Sequence, residues 1–349
     1  MVVSIKPYDE RMAVSVDEAS RYRVDPESLE AYRRELAGYC YRMLGSAFEA
    51  EDAVQEVMLR ALRAADSFAG RSSLRSWLYR IATNVCLDIL RGRKRRAAPV
   101  GLGVPAPPEA ERMGPQLPED TWISPAPDSR LLPADGDPAE IAVARETITL
   151  AFVTALQYLS PRQRAVLLLS QVLRFDANEI AEQLDTTAGA VSKTLHRARV
   201  ALAEVTPAQR VTDVRADQAE LVARYVLAFE RYDIAALMKL LHEDAVQSMP
   251  PYAMWLRGPA DIGEWLLGPG SGCRGSRLVP TGANGWPAFG QYRVDPAGGH
   301  APWSLNVVEI SGDRIAALHY FLDTARLFPL FGLPPHLPAD PPERTAPAH

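Results

Sequence analysis

Between Ala97 and Ala139 the chain loses sustained periodicity and becomes about a quarter proline. Proline donates no backbone hydrogen bond and holds φ near about -65°, so such a stretch builds neither a long helix nor a central strand. It reads as a linker without a core of its own. The 349 residues also exceed one ordinary core at roughly 150 residues per domain. The expected organisation is an N-terminal extension (1–24), a helical domain (25–96), the Pro-rich linker (97–139), a second helical domain (140–206), a domain of different texture (207–333) and a Pro-rich, loose tail (334–349).

In the first helical block, Asp25 and Pro26 form a cap and a first-turn proline, and apolar residues recur through Leu29, Tyr32, Leu36, Tyr39 and Met43 to a stop at Gly45. A second helix follows over AEDAVQEVMLRAL, with Val54, Val57, Met58, Ala61 and Leu62 as its buried stripe. Its other face carries Glu51, Asp52, Gln55 and Glu56. Acidic residues suit the positive end of a helix, and Glu56 can pair with Arg60, so spacing alone permits either a solvated face or a partner site. A third helix is expected over LRSWLYRIATNVCLDILRGRKRR. Around it Arg71, Arg75, Arg80, Arg91, Arg93, Lys94, Arg95 and Arg96 gather near one carboxylate, Asp88. That bias in sign is explained by phosphate contact and counterion release. Trp77 lies in the apolar stripe and reads as core.

Past the linker, Ser160-Pro161 and Asp176 to Glu179 carry helix-start signals. EIAEQLDTTAGAVSKTLHRARVAL then has a helix-turn-helix pattern. Ile180, Leu184, Val191, Leu195 and Ala198 form the inner seam, which leaves Gly189, Ala190, Lys193, His196 and Arg197 outside. After about Asp213, helical LVARYVLAFERYDIAALMKLL precedes strand-like DAVQSM, PAFGQYRV, PWSLNVVEI and RIAALHYFLD, an α+β order.

The formal charge of -5 excludes a uniformly basic coat, so nucleic-acid contact must be local. Cys40, Cys86 and Cys273 are widely spaced and suggest neither a zinc cluster nor a disulfide framework. No apolar run reaches the roughly 18 residues of a membrane helix, and the start has no signal-peptide layout. A cytoplasmic protein without membrane, metal or cofactor is expected.

CYRMLG, EAEDAVQE, FAGRSSLRSWLYRIATNVCLDILRGRKRR and LSPRQRAVLLLSQVLRFDANEIAEQL closely resemble regions two and four of extracytoplasmic-function sigma factors, which direct bacterial RNA polymerase to promoters. LVARYVLAFERYDIAALMKLLHEDAV, ANGWPAFGQYR and SLNVVEISGDRIAALHYFLD are similar to the SnoaL-like, NTF2-type domain of the G-type subgroup. The implied fold is two all-α domains, the second with a helix-turn-helix, plus a C-terminal α+β NTF2-like cone.

The resemblance implies that Asp52, Gln55 and Glu56 dock on a coiled coil of the polymerase beta-prime subunit, within a core that also includes beta. It implies capture of a minus-ten base by the loop from Ala69 to Ser72, with Arg71, Ser72, Arg75, Arg80, Asn84 and Arg91 toward DNA. It likewise assigns Thr187, Lys193, Arg197 and Arg199 to the minus-thirty-five element. This chain has Ser192-Lys193-Thr194 where many members carry a further basic residue, so their promoter preference does not transfer. In the cone, Asp244, Trp255 and His319 are pocket candidates, but they form no assignable acid and base pair, and no catalytic residue is expected. The resemblance leaves room for an anti-sigma factor and for a small ligand of this regulatory domain. A free-standing helix-turn-helix regulator, or an NTF2-like enzyme with a regulatory helical part, are the alternative readings.

Overall fold

The computed structural model describes residues 24–68, 70, 72–133, 137–205 and 216–339. Most of the N-terminal extension, Arg71 and the end of the tail lie outside the described residues.

The first helical unit comprises α1 (Pro26–Glu30), α2 (Arg33–Leu44), α3 (Ala47–Arg63) and α4 (Leu74–Leu90). Asp25 accepts the Ser28 N–H at the start of α1, and Gly45 ends α2 at φ 70°. Ser46 and Ser73 cap α3 and α4 by accepting the N–H groups of Glu49 and Ser76. Each cap satisfies a backbone donor that the helix cannot reach. The structure departs from the sequence reading at both ends of this unit. The first helix is broken by a turn at residues 31–32, where Tyr32 N–H bonds to Leu29 O. The last stops at Leu90, and Gly92 at φ 76° leads into a non-helical basic run.

Residues 97–133 form a strap, not a free tether. Their prolines preclude a core, but their backbone groups find partners on the flanking units. Ala97 and Trp122 bridge one another in parallel, Tyr41 Oη donates to Ser124 O, and the Ala47 N–H donates to Ser124 Oγ. On the other side the Leu117 N–H bonds to Pro251 O and the Ala106 N–H to Trp255 O. Trp122, Ile123, Ala126, Leu131 and Leu132 are buried. The strap includes the short helix α5 (Asp128–Leu131).

The second helical unit contains α6 (Pro138–Glu146), α7 (Leu150–Leu156), α8 (Pro161–Leu167), α9 (Ala177–Gln183) and α10 (Ala188–Val205). Capping boxes at Ser160 with Gln163 and at Asp176 with Glu179 start α8 and α9. A π-turn at Leu168–Val172 follows α8. Ile180, Leu184, Val191 and Ala198 are buried in the seam between α9 and α10.

The C-terminal unit packs α11 (Ala216–Glu230), α12 (Ile234–Met238) and α13 (Gly258–Leu267) with a six-stranded sheet. Its strands are β1 (Leu241–Ser248), β2 (Trp255–Arg257), β3 (Arg277–Ala283), β4 (Trp286–Val294), β5 (His300–Ser311) and β6 (Arg314–Phe321), in the order β2-β1-β6-β5-β4-β3. Only β1 and β6 run parallel. β3 contains Pro280, which masks it in the sequence and is tolerated because β3 is an edge strand. The helix α14 (Thr324–Phe331) lies against β4 and β5, with Phe328 edge-on to Tyr292 at 5.1 Å. The tail is tied down as far as Leu337, which exchanges two 2.9 Å backbone bonds with His300. No helix among the described residues is long and apolar enough to cross a membrane.

Candidate polymerase and promoter interfaces

Helical spacing places Asp52 and Gln55 on an exposed stripe of α3, with Leu59 continuing it one turn on and Leu62 two turns on. Leu62, expected from its spacing in the buried stripe, is 41% exposed because nothing among the described residues packs over the end of that face. Glu56 is half-buried and accepts Arg60 Nε at 2.6 Å. Glu51 accepts Arg130 of the strap at 2.7 Å. At the start of the same helix, Arg326 of α14 stacks over Phe48 at 4.0 Å and pairs with Glu119. The carboxylates of Glu119, Asp323 and Asp52 all favour its charged form.

Of the residues assigned to DNA around α4, the neutral Asn84 and Ser72 are exposed, whereas the basic ones among the described residues are engaged. Arg75 is committed: its Nε donates to Glu35 at 2.8 Å, its Nη1 to Leu173 O at 3.4 Å, and its guanidinium lies 4.9 Å from the Phe175 ring centroid. Arg80 pairs with Asp185 in the helix-turn-helix turn at 3.3 Å. Arg91 pairs with Asp88 at 3.1 Å. Beyond it, Arg93 and Arg96 converge on Glu49, and Arg95 stacks on Tyr158 at 3.9 Å. Much of the basic run therefore holds the strap and second helical unit. Trp77 is partly buried, packing against Phe68 at 4.9 Å at the edge of the core.

On the second unit, Lys193 and Arg197 are exposed on the outer face of α10, while Arg199 donates to Gln171 at 2.9 Å. Thr187 caps α10 by accepting the Ala190 N–H at 3.2 Å.

The three pocket candidates do not converge. Asp244 is exposed and pairs with Arg257 at 2.9 Å. Trp255 donates to Gly103 O beneath the strap. His319 sits between Ser248 Oγ at 2.8 Å and Glu309 at 3.5 Å, on the opposite sheet face from Tyr320. Buried side chains of this unit that carry polar atoms include instead Gln247, Gln291, Ser304, Asn306, Tyr225 and Tyr320. Gln291 Oε1 accepts from Ser304 at 2.9 Å and from Asn306 at 3.3 Å.

Sequence reasoning also missed a junction of all three units at the β3–β4 turn. Asn284 and Gly285 both have positive φ, the geometry of a two-residue hairpin, for which Asn-Gly is the local signal. Asn284 donates to Tyr41 Oη and to Ile148 O, and accepts the Ala126 N–H. Asp128 accepts the Gly285 N–H at 2.8 Å, and burial pushes its carboxyl up to about 6. Two buried arginines complete the interdomain framework. Arg42 donates to Thr147 O and Ala144 O, and burial lowers it to about 10. Arg164, also lowered to about 10 by burial, reaches Met43 O and Gln157.

The acid-striped helix, the basic helix and the separate helix-turn-helix fall in two segments that match the Sigma-70 class of transcription proteins. Residues 29–96 match Sigma-70 region 2, and residues 149–202 match Sigma-70, region 4. The chain is 46% identical over 318 residues to the ECF RNA polymerase sigma factor SigG of Mycobacterium tuberculosis (strain ATCC 25618 / H37Rv), covering 88% of this chain and 83% of that one. It is 32% identical over 174 residues to SigW of Bacillus subtilis (strain 168), covering 50% and 84% respectively. The crystal structure of the Mycobacterium tuberculosis extracytoplasmic function sigma factor SigJ shares the fold, with a TM-score of 0.56 and 24% identity over 85% of this chain and 96% of that one. The chain belongs to the ECF RNA polymerase sigma factor family. Such a factor is not an enzyme; its partners are RNA polymerase core and promoter DNA.

Proposed function

We propose that this sigma factor docks on polymerase core through Asp52, Gln55 and Glu56. Region 2 then opens and holds the minus-ten element, and region 4 reads the minus-thirty-five element. Ser72 and Asn84 serve the first task, joined by Arg71 and, once released from internal partners, Arg75, Arg80 and Arg91. Lys193, Arg197 and Arg199 serve the second, with Thr187 near the phosphate backbone. The C-terminal domain modulates activity by stabilising a closed arrangement of the two regions.

The 3.3 Å contact between Arg80 and Asp185 carries this reading. The two promoter elements lie roughly 25 base pairs apart, on the order of 80 Å at about 3.4 Å per base pair. A factor bound at both cannot keep its α4 residue against the turn before α10. The closed arrangement must therefore open, and whatever stabilises closure subtracts from the affinity for core and promoter.

The experiment has two arms. Co-purification with core and run-off transcription from pooled genomic fragments tests the assignment; no transcription above core alone ends it. Joining Arg80→Cys and Asp185→Cys with a reducible bis-thiol cross-linker that spans the native side-chain pair tests the opening step. The locked factor loses promoter-dependent transcription and recovers it on reduction; full activity while locked rejects obligatory opening.

A further inference from the structure

A cleft of about 1500 Å³ lies where region 2, the strap and region 4 meet, with Leu330 of α14 at its edge. Among the described residues, six arginines line it against four carboxylates. Three of those carboxylates are already matched: Glu30 with Arg33, Glu35 with Arg75 and Glu51 with Arg130. The fourth, Asp137, caps α6 by accepting the Ala139 N–H. Arg34, Arg42 and Arg174 are left without a carboxylate among the described residues.

These three cations are placed by the fold. Arg75 is the reference point, because its guanidinium joins Glu35 of α2 to the Leu173 carbonyl of region 4. Arg34 and Arg174 are the chain neighbours of those two partners, so the Arg75 bridge brings their backbones together from separate units. Both side chains are exposed. Arg174 is held at φ 60°, a conformation that side chains other than glycine seldom adopt. Arg42 lies deeper, only 5% exposed, and its hydrogen bonds go to carbonyls and one hydroxyl. Two of these acceptors are C-terminal carbonyls of α6, whose helix dipole offsets only part of the charge, so a positive potential remains.

We propose that this cleft binds a small phosphorylated polyanion of the diphosphate type, gripped by Arg34 and Arg174 with Arg42 behind them. Guanidinium forks match phosphate oxygens in bidentate geometry. Three unmatched cations also call for more negative charge than one carboxylate supplies. Because Arg34 belongs to region 2 and Arg174 to region 4, the complete site exists only while the two are together. The ligand therefore stabilises the closed arrangement by mass action. The binding claim stands without the promoter assignments above.

The test uses the full chain with inorganic pyrophosphate in EDTA, followed by titration calorimetry and by thermal unfolding at ionic strength matched with potassium chloride. Saturable heat and a concentration-dependent rise in Tm are expected. Both should disappear in the Arg34→Ala, Arg174→Gly double variant; glycine suits the positive φ at residue 174, and circular dichroism verifies the fold. Both should persist in a Lys193→Ala, Arg197→Ala variant, which separates this site from the DNA-facing helix. No saturable heat, an equal rise with chloride, or an unchanged response of the Arg34/Arg174 variant overturns the proposal.

Discussion

The side-chain amide of Asn284 donates to the phenolic oxygen of Tyr41 at 2.7 Å, across 243 positions of sequence. The same amide reaches Ile148 O at 2.6 Å, and its carbonyl accepts the Ala126 N–H at 2.9 Å. One fully buried residue of the C-terminal hairpin thus bonds to region 2, to the strap and to the segment entering region 4.

Asn284→Gly keeps the positive φ that the hairpin needs and removes all three bonds. Leaving buried partners unsatisfied costs about 1–3 kcal/mol each at most, less where water enters. The expected outcome is faster proteolysis within residues 97–133 and a larger radius of gyration by small-angle scattering, with the helical circular dichroism retained. An unchanged protease pattern would show that the hairpin does not hold the junction.

Asp128 makes the same junction depend on pH. Burial raises its carboxyl from an ordinary carboxylate value to about 6, so the docked state binds the proton more tightly than the undocked one. Its contribution is fully present below about pH 4 and is lost as pH rises through about 6, amounting at most to about 3 kcal/mol. Asp128→Asn removes the titration and retains a carbonyl to accept the Gly285 N–H. Denaturation midpoints followed across this window should flatten in the variant; identical slopes for both proteins would contradict the assignment to Asp128.

Asp52→Arg combined with Glu56→Arg should leave the fold intact, since the lost Glu56–Arg60 pair is partly exposed and contributes less than about 1 kcal/mol. Like-charge contact should abolish core binding. Retention on immobilised core at wild-type affinity is the result that would sink the role of this stripe.

Lys193→Ala and Arg197→Ala each weaken promoter recognition, by about 1–3 kcal/mol where the lost contact is bidentate to a base. A contact to phosphate alone gives a similar loss on every sequence and a smaller salt slope. Footprinting at several salt concentrations distinguishes the two, and unchanged protection in both variants moves the reading surface off α10.

The sequence by itself determined the local elements. Seam periodicity placed α9 and α10, the caps at Asp25, Ser160 and Asp176 have backbone N–H partners one turn away, and Asn284-Gly285 carried its own hairpin signal. These are interactions within a few residues, so composition and spacing encode them directly. The tertiary structure decided which of two adjacent strand residues faces inward. His319 and Tyr320 differ by one position, and parity alone cannot choose between them until helices cover one face of the sheet. It also turned a proline-rich segment into a strap, because the partners of that backbone lie on domains distant in sequence. The engagement of Arg75 and Arg80, and the charges of Arg34, Arg42 and Arg174 left unmatched among the described residues, arise the same way. A charge is matched or unmatched only by what folding brings within a few ångströms, and that distance has no period in the sequence.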